Sequence, residues 1–205
     1  EVGKESNRPY YYAMRGSINR HAGNYQECIA DIEKYIERYP TDAYGYYVRG
    51  WCKELSGNRA GAYKDYDEGI AVDEDYPYIF LMRGTLYLED GDLEKANQDF
   101  ERVVAKDTTL ESGSCRHYAL NFLGRTEEAL EWMEKLVELD ADDPGIWYDK
   151  ACLLARMGRC EESVAALKVS LEKGYRSFPH LEHDNDMDPV RDREDYKALI
   201  AEYQE

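Results

Sequence analysis

A period of 34 residues constrains the fold of this chain more than any other feature of its sequence. Residues 10–16 read YYYAMRG, and closely similar stretches follow at 44–50 and 78–84. Six further positions keep the same spacing: Gly23, Gly57 and Gly91, and Asp31, Asp65 and Asp99. Apolar residues recur at helical spacing on both sides of each glycine, which predicts two helices joined by a turn in every period. Such units bury their apolar faces only against neighbouring units, so we expect a stack of repeats with a shared core.

The period divides the chain into five predicted repeats, with irregular segments at both ends. The fourth repeat is one residue short and degenerate, because Ser114 and Tyr118 stand where the other repeats have an aromatic residue and a glycine. Proline opens the first helix of three repeats, where its fixed backbone angle suits the first helical position. The predicted boundaries are a tail at 1–8 and repeats at 9–42, 43–76, 77–110, 111–143 and 144–176, with the prolines at Pro9, Pro77 and Pro144.

Residues 177–205 no longer follow the period. An acidic stretch runs as far as Pro189, and a last amphipathic helix is predicted from Val190 to Tyr203, with apolar residues along one stripe. The end of a repeat stack exposes an apolar face that needs a cover. We therefore expect 177–205 to form an acidic loop and a C-terminal capping helix.

The repeated stretches, the glycine turns and the period together resemble the tetratricopeptide repeat family. The sequence DNDMDPVR at 184–191 also resembles the acidic closing segment of many bacterial arrays of this kind. The resemblance implies an all-α fold, a right-handed α-solenoid of about five helix-turn-helix repeats with a C-terminal capping helix. It also implies a noncatalytic scaffold that binds other proteins.

The charge of the chain disfavours several classes of partner. With 26 basic and 43 acidic residues the net charge is −17, and such a field repels nucleic acid and anionic membrane surfaces. It attracts partners with basic character over a long range. No run approaches the roughly 18 apolar residues of a membrane-spanning helix, and no signal peptide is recognisable. The cytoplasm is the favoured compartment, and the periplasm stays open if an upstream signal has been removed.

The five cysteines show no metal-ligand or redox spacing. They are Cys28, Cys52, Cys115, Cys152 and Cys160, an odd number without a CxxC pair. Most fall on predicted helix faces beside small or apolar neighbours, where cysteine behaves as a small hydrophobic residue. This pattern indicates a reducing compartment.

The family resemblance also implies a binding groove. In this family the first helix of each repeat lines the concave surface, chiefly through its second, fifth, ninth and twelfth positions. Those positions are unusually aromatic in this chain, and tyrosine and tryptophan offer a large contact area at low conformational cost. The implied groove residues are Tyr10, Tyr44, Tyr47, Trp51, Tyr78, Leu81, Thr85, Leu88 and Tyr148, and the same positions include Arg20, Glu54 and Ser112.

The expected ligand is a protein or peptide that is apolar or aromatic with some basic character. The lysine and asparagine residues with which some family members hold the acidic C-terminus of chaperones have no counterparts here, because Ala13, Ser17 and Tyr44 occupy or border their places. An alternative stays open, in which the groove aromatics pack against each other or against the chain's own tail.

Three arginine–aspartate pairs recur with the period. Each arginine precedes its aspartate by 16 residues, an interval that crosses the turn and lets the two face each other between antiparallel helices. In the fourth and fifth repeats both partners are lost together, which suggests contact because one partner alone would leave a partly buried charge. The predicted structural ion pairs are Arg15 with Asp31, Arg49 with Asp65, and Arg83 with Asp99.

Tyr11 is the basis of a separate prediction. It stands at the position that packs on the preceding repeat, as Gly45 and Ile79 do in the next two repeats. An exposed tyrosine there suggests either a missing upstream segment or self-association through the N-terminal repeat.

Residues 180–188 hold the densest cluster of potential metal ligands. The Asp-x-Asp-x-Asp start at 184–188 resembles a calcium loop, but Pro189 stands where that loop requires glycine and Asp195 replaces the final glutamate. Two histidines three residues apart also resemble half of a zinc site. We interpret the stretch as a capping loop whose carboxylates bind backbone N–H groups, and we expect no metal site and no cofactor.

The sequence as a whole predicts a noncatalytic protein–protein interaction scaffold. It contains no phosphate-binding loop, nucleophile elbow or catalytic carboxylate pair, so an enzyme is not expected. One alternative is an accessory or assembly domain of a larger multidomain protein, which would dock that protein's own segment in the groove. A weaker one is a metal-responsive module built on residues 180–188.

Overall fold

The computed structural model describes residues 10–110 and 114–204, and every regular element in those ranges is helical. The fold class is all-α, as predicted. None of the helices in the described ranges is long and apolar enough to cross a membrane. The predicted tail at 1–8, Pro9 and Ser112 lie outside the described residues. The chain divides into two compact units, Glu1–Lys106 and Asp107–Glu205.

Unit 1 consists of three consecutive helix pairs. Each helix packs against the next one along the chain, both within a pair and between pairs. The first helix of the last pair has Pro77 at its start, as the sequence predicts. The helices are α1 (Tyr11–His21), α2 (Tyr25–Arg38), α3 (Ala43–Leu55), α4 (Arg59–Val72), α5 (Pro77–Glu89) and α6 (Leu93–Lys106).

The turn within each pair is built on a glycine with left-handed backbone angles. The φ of Gly57 is +84°, a value that side chains with a Cβ rarely adopt, and Gly23 and Gly91 have similar values. The residue after Gly57 caps the next helix, because the Asn58 side chain accepts a hydrogen bond from the Gly61 N–H at 3.0 Å. The glycine turns therefore follow from the sequence pattern alone.

The core of unit 1 depends on close approach between the two helices of a pair. Tyr66 on α4 is fully buried, and its ring lies against Gly50 on α3. A Cβ atom built at Gly50 would lie 2.5 Å from Tyr66 Cε1, and Phe100 takes the same place against Gly84 in the next pair. The small residue in the first helix thus makes room for the large aromatic residue in the second.

A disulfide links the first two helix pairs, and the sequence did not predict it. Cys28 on α2 and Cys52 on α3 are bonded, and both are fully buried. The expectation that the cysteines act as small hydrophobic residues is therefore wrong for these two. The prediction of a reducing compartment, which rested on unpaired cysteines, loses its basis because disulfides persist in oxidising compartments. The cysteines that remain free are Cys115, Cys152 and Cys160.

Unit 2 begins with two further helix pairs and ends with a segment of short helices. Its first two glycine turns have the same left-handed angles, with φ +74° at Gly124 and +75° at Gly158. Pro144 opens the second pair, as predicted. The elements are α7 (Arg116–Phe122), α8 (Thr126–Leu139), α9 (Pro144–Arg156), α10 (Cys160–Glu172), α11 (Phe178–His183), a 3-10 turn (Asn185–Met187), α12 (Asp188–Arg191) and α13 (Glu194–Gln204).

Helix α7 is only seven residues long, where the repeat pattern predicts a longer one. The buried carboxylate of Asp107 sets its start. Asp107 Oδ2 accepts hydrogen bonds from Ser114 Oγ at 3.0 Å, from the Cys115 N–H at 2.6 Å and from the Arg116 N–H at 2.8 Å. Ser114 and Cys115, just before α7, are thus held by this carboxylate in a non-helical conformation. The irregular start of the helix corresponds to the degenerate sequence of the fourth repeat.

The closing segment (Phe178–Gln204) covers the last helix pair of unit 2. Its buried side chains are Leu181, Met187, Val190, Tyr196 and Leu199. The helix predicted from Val190 to Tyr203 is shorter in the structure, because α12 ends at Arg191 and α13 begins at Glu194. The closing segment thus consists of several short elements, of which the 3-10 turn, α12 and α13 contact α9 or α10.

Candidate functional site

The most distinctive surface of unit 1 is a group of five aromatic side chains in mutual contact, here named the tyrosine surface. Tyr47 is at its centre, with ring centroids 6.2 Å from Tyr44, 5.7 Å from Trp51, 5.9 Å from Tyr76 and 5.8 Å from Tyr78. Tyr76 and Tyr78 also contact each other, at 5.7 Å. All five side chains are only partly buried, so part of this cluster faces solvent.

Local structure explains why these five side chains meet. Tyr44, Tyr47 and Trp51 are three and four residues apart on α3, which places them on one face of the helix. Tyr76 and Tyr78 flank Pro77 at the start of α5, beside that face. The sequence predicts four of the five as groove residues. Tyr76 was missed because it precedes the helix and so lies outside the family's four groove positions.

Arg20 on α1 completes the tyrosine surface at the side of Trp51. Its guanidinium lies over the Trp51 ring, 3.7 Å from the centroid. Its Nη2 lies 3.1 Å from Nε2 of His21, whose Nδ1 is 2.7 Å from the Ser17 carbonyl oxygen. The Nδ1–H of His21 can donate to that carbonyl, which leaves Nε2 to accept from Arg20. Burial lowers the pKa of Arg20.

A cavity of about 490 Å³ opens beside Tyr44. The hydroxyls of Tyr44 and Ser17 are 3.1 Å apart, and the Tyr35 hydroxyl donates to the Asp42 carboxylate. Burial, assisted by that carboxylate, raises the pKa of Tyr35. The hydroxyls at this end are therefore satisfied, and the cavity offers a largely apolar wall. Its lining residues are Tyr10, Ala13, Met14, Ser17, Ile18, Tyr35, Asp42 and Tyr44.

The remaining predicted groove residues of unit 1 contribute unequally. Tyr10 is 64% exposed at the rim of the cavity. Leu81, Thr85 and Leu88 are partly buried on α5, but Thr85 Oγ1 donates to the Met82 carbonyl of its own helix at 2.8 Å. The Thr85 hydroxyl is therefore already engaged within α5.

Tyr148 does not belong to an open groove, and its assignment as a peptide-binding residue needs correction. It lies in unit 2 and is only 5% exposed, because Tyr175 and residues of the closing segment cover it. Its hydroxyl donates to Asp184, and its ring stacks on Tyr175 at 4.4 Å with an interplanar angle of 10°. His180 contacts the same ring, at 5.6 Å. At this position the closing segment covers a residue that the sequence predicted to face a ligand.

Exposed apolar side chains form a row along α1. Met14 is 66% exposed and Ile18 is 65% exposed, whereas Val48 and Cys52, their counterparts one period later, are buried against α2. Tyr11 is 40% exposed, and its hydroxyl accepts a hydrogen bond from Arg15 at 3.1 Å. The face of α1 that corresponds to a repeat interface thus has no covering helix among the described residues.

All three arginine–aspartate pairs are formed in unit 1. Each arginine donates through both Nε and a terminal nitrogen to its aspartate, in the forked geometry that suits a carboxylate. For example, Arg49 binds Asp65 at 3.0 Å and 2.7 Å. The aspartate side chains are 1–6% exposed, whereas the arginines range from 15% to 42%. The pairs are Arg15 with Asp31, Arg49 with Asp65, and Arg83 with Asp99. They lie between the two helices of each pair, which is where the sequence predicted them.

The acidic stretch in the closing segment binds protein groups. Asp184 accepts the Tyr148 hydroxyl and the Asp186 N–H, and Asp186 pairs with Arg156 at 3.1 Å. His180 Nε2 lies 3.5 Å from Asp184. Among the residues that the structure describes, no three His, Cys, Asp or Glu side chains are grouped so that they could hold a metal ion. The Asp184 side chain acts as the backbone cap that the sequence suggested.

Comparison with known proteins gives one consistent result. Profiles of the tetratricopeptide repeat match residues 9–42 and 118–143, and a second such profile matches 78–107. A TPR repeat-containing protein of Methanocaldococcus jannaschii is 25% identical over 194 residues, which cover 88% of this chain and 33% of that protein. The photosystem I assembly protein Ycf3 of Acaryochloris marina is 31% identical over 111 residues, which cover 49% of this chain and 65% of that protein. The chain thus spans about a third of the length of the archaeal relative.

A solved structure shares the fold. The crystal structure of a thermophilic TPR protein from Thermus thermophilus matches with a TM-score of 0.67 and 16% sequence identity, covering 95% of this chain and 100% of that one. At this identity the likeness shows the fold alone, an α-solenoid of helix-turn-helix repeats.

Proposed function

Because the chain belongs to the tetratricopeptide repeat family, we propose that it is a noncatalytic scaffold that binds a peptide or protein segment on the tyrosine surface of unit 1. Proteins of this family generally mediate protein–protein interaction or assembly. The segment is apolar or aromatic where it meets the rings. The net charge of −17 favours partners with some basic character and disfavours nucleic acid and anionic membranes.

The observation that supports this proposal is the partial exposure of five aromatic rings that already contact each other. Rings held by their neighbours lose little conformational freedom when a ligand covers them, so more of the contact energy remains for binding. The cavity beside Tyr44 extends the surface and could receive an apolar side chain of about the size of leucine or phenylalanine. Tyr47 contacts all four of the other rings, which makes it the expected centre of the binding energy.

The test uses random dodecapeptides displayed on phage and selected on the purified protein. A selected peptide, synthesised and titrated by calorimetry, should bind the Tyr47→Ala/Trp51→Ala variant at least about tenfold more weakly. Trp147→Ala is the matched control, since it removes a partly buried tryptophan from unit 2 and should leave the affinity unchanged. Failure to select any peptide, or equal affinity for all three proteins, would refute the proposed surface.

Self-association through α1 is a second candidate, supported by the exposed row of Met14 and Ile18. The counterpart face on α3 is covered by α2, so this row has the chemistry of a helix interface. Light scattering after size-exclusion chromatography should show a dimer that Met14→Glu/Ile18→Glu converts to a monomer. A monomeric wild type over a wide concentration range would remove this candidate.

The chain could also act as the accessory or assembly domain of a larger protein. The relevant fact is that it spans about a third of the length of its archaeal relative. In that arrangement the tyrosine surface would bind a segment of the same polypeptide. The peptide selection described above then reports the sequence preference of that internal segment.

A further inference from the structure

Arg20 differs from every other partly buried arginine that the structure describes in unit 1. The other four each bind at least one carboxylate of the unit within 3.0 Å. Among the described residues, Arg20 has no carboxylate within ion-pairing distance, in a chain with 43 acidic residues. The four paired arginines are Arg15, Arg49, Arg59 and Arg83.

In the part of the chain that the structure describes, Arg20 is surrounded by aromatic rings and has no carboxylate within ion-pairing distance. Its guanidinium stacks on Trp51, and the phenols of Tyr25, Tyr44 and Tyr47 lie nearby. Its Nε is buried without a hydrogen-bond partner, and among the described residues the only acceptor within reach of its Nη2 is the His21 ring. This is a poorly compensated positive charge at the edge of an apolar surface.

The uncompensated charge has an energetic consequence for binding. Partial burial costs an arginine some of its hydration, and without a carboxylate nothing of opposite charge offsets that cost. The desolvation is also what lowers the pKa of this side chain. A carboxylate of a ligand would offset the lost hydration of the guanidinium. The neighbouring rings exclude water, so a charged hydrogen bond there is stronger than in bulk solvent.

We propose that Arg20 anchors a carboxylate of the bound peptide, so that the ligand of the tyrosine surface presents an acidic group next to the apolar or aromatic residue that covers Trp51. This proposal rests on the proposed function of the same surface and specifies its ligand. The guanidinium is held in place by stacking, which is the preorganised arrangement that suits recognition of a carboxylate.

The preference of Arg20 for a carboxylate and the net charge of the chain act over different distances. The net charge of −17 influences approach over about 8 Å in physiological salt, whereas Arg20 acts only on contact. The ligand can therefore have basic residues elsewhere and still require one acidic group at Arg20. The expected motif is a single carboxylate at a fixed distance from an aromatic or aliphatic residue.

The experiment compares peptide selections on wild type and on Arg20→Gln. Random dodecapeptides are displayed in two formats, one with a free C-terminus and one with the C-terminus joined to the coat protein. Wild type should enrich peptides with an acidic residue at a fixed position, and Arg20→Gln should lose that preference. Arg20→Lys, which keeps the charge but not the fork, should bind with intermediate affinity.

Synthetic peptides then test the anchor without changing the protein. Replacing the enriched glutamate by glutamine should weaken binding to wild type roughly ten- to a hundredfold, the loss expected for hydrogen bonds to a charged group. The same replacement should make little difference to Arg20→Gln. If Arg20→Gln folds poorly, the comparison of the two peptides on wild type still tests whether binding requires the carboxylate. Dependence on a free C-terminus alone would identify the main-chain carboxylate as the source.

The outcomes separate this proposal from the one on which it rests. Enrichment of peptides without a fixed acidic position, or an acidic preference that survives in Arg20→Gln, would overturn the anchor and leave the binding surface standing. Selection of no peptide at all would overturn both. Enrichment of an acidic position that depends on Arg20 would support both.

Discussion

At the scale of single residues, three aspartates occupy the same repeat position but differ in environment. Asp65 binds both Arg49 and Lys53, with its side chain only 1% exposed. Asp31 binds Arg15, whose side chain is 42% exposed. Hydrogen bonding to Asp31 raises the pKa of Arg15. The same chemical pair should therefore contribute differently to stability in the first and second repeats.

We expect Asp65→Asn to destabilise the protein much more than Asp31→Asn. Removing the charge of Asp65 takes the carboxylate from Lys53 and leaves Arg49 with only the longer contact to Glu68 at 3.4 Å, in a largely buried setting, which costs about 3–5 kcal/mol. Arg15 is more exposed, so water solvates it when its partner is lost, and Asp31→Asn should cost only about 1 kcal/mol. Urea unfolding followed by circular dichroism measures both. Equal losses would show that burial does not set the contribution of these pairs.

The glycines of the first helices lead to a second residue-scale prediction. Gly50→Ala would bring a Cβ to 2.5 Å from the ring of fully buried Tyr66, and the ring cannot move without disturbing its neighbours. Gly16→Ala meets instead the flexible end of Ile32, at 2.6 Å. We expect a loss of about 1–3 kcal/mol for Gly50→Ala and a clearly smaller change for Gly16→Ala, where helix propensity offsets the crowding. Thermal unfolding of the two variants checks this, and a larger loss for Gly16→Ala would contradict it.

At the scale of elements, the disulfide replaces a packing contact that other repeats make without covalent bonds. The residues one period after Cys28 and Cys52 are Ala62 and Leu86, which belong to one buried cluster. Both positions of this interface hold cysteine in the first two repeats. Helices α2 and α3 are thereby joined, beneath the Tyr44 end of the tyrosine surface.

We expect protein purified without reductant to have three free thiols among its five cysteines. Mass spectrometry after alkylation under denaturing, non-reducing conditions measures the number, and five alkylated thiols would refute the bond. Reduction should cost about 3 kcal/mol of stability, the chain-entropy value for a loop of this length. Cys28→Ala/Cys52→Leu, which restores the pair found one period later, is the matched variant. It should no longer respond to reductant.

At the scale of the whole molecule, the charge of −17 opposes the approach of an acidic ligand even if Arg20 holds it once bound. For a selected peptide of net negative charge, the association rate constant should therefore rise several-fold as salt increases, because salt screens the long-range repulsion. Stopped-flow tryptophan fluorescence at several salt concentrations measures it. The peptide with glutamine in place of its glutamates is the control and should show little dependence. A rate that falls with salt would indicate steering by basic residues instead.

The sequence determined the repeat architecture because the relevant physics is local and periodic. A glycine in each turn, apolar residues at helical spacing and an arginine 16 residues before an aspartate are sufficient to place the helix pairs and their buried ion pairs. The same pattern placed Tyr44, Tyr47 and Trp51 on one face of α3. These features depend on residues within one repeat, whose geometry the period fixes.

Only the tertiary structure decided the features that depend on distances between repeats or on irregular segments. It joined Cys28 to Cys52, added Tyr76 to the tyrosine surface, and left Arg20 with no carboxylate partner among the described residues. It also covered Tyr148 with the closing segment, so that an expected groove residue became part of the core of unit 2. A periodic pattern states which residues share a position. It does not state which side chains from different helices meet there, because packing of the particular side chains decides that.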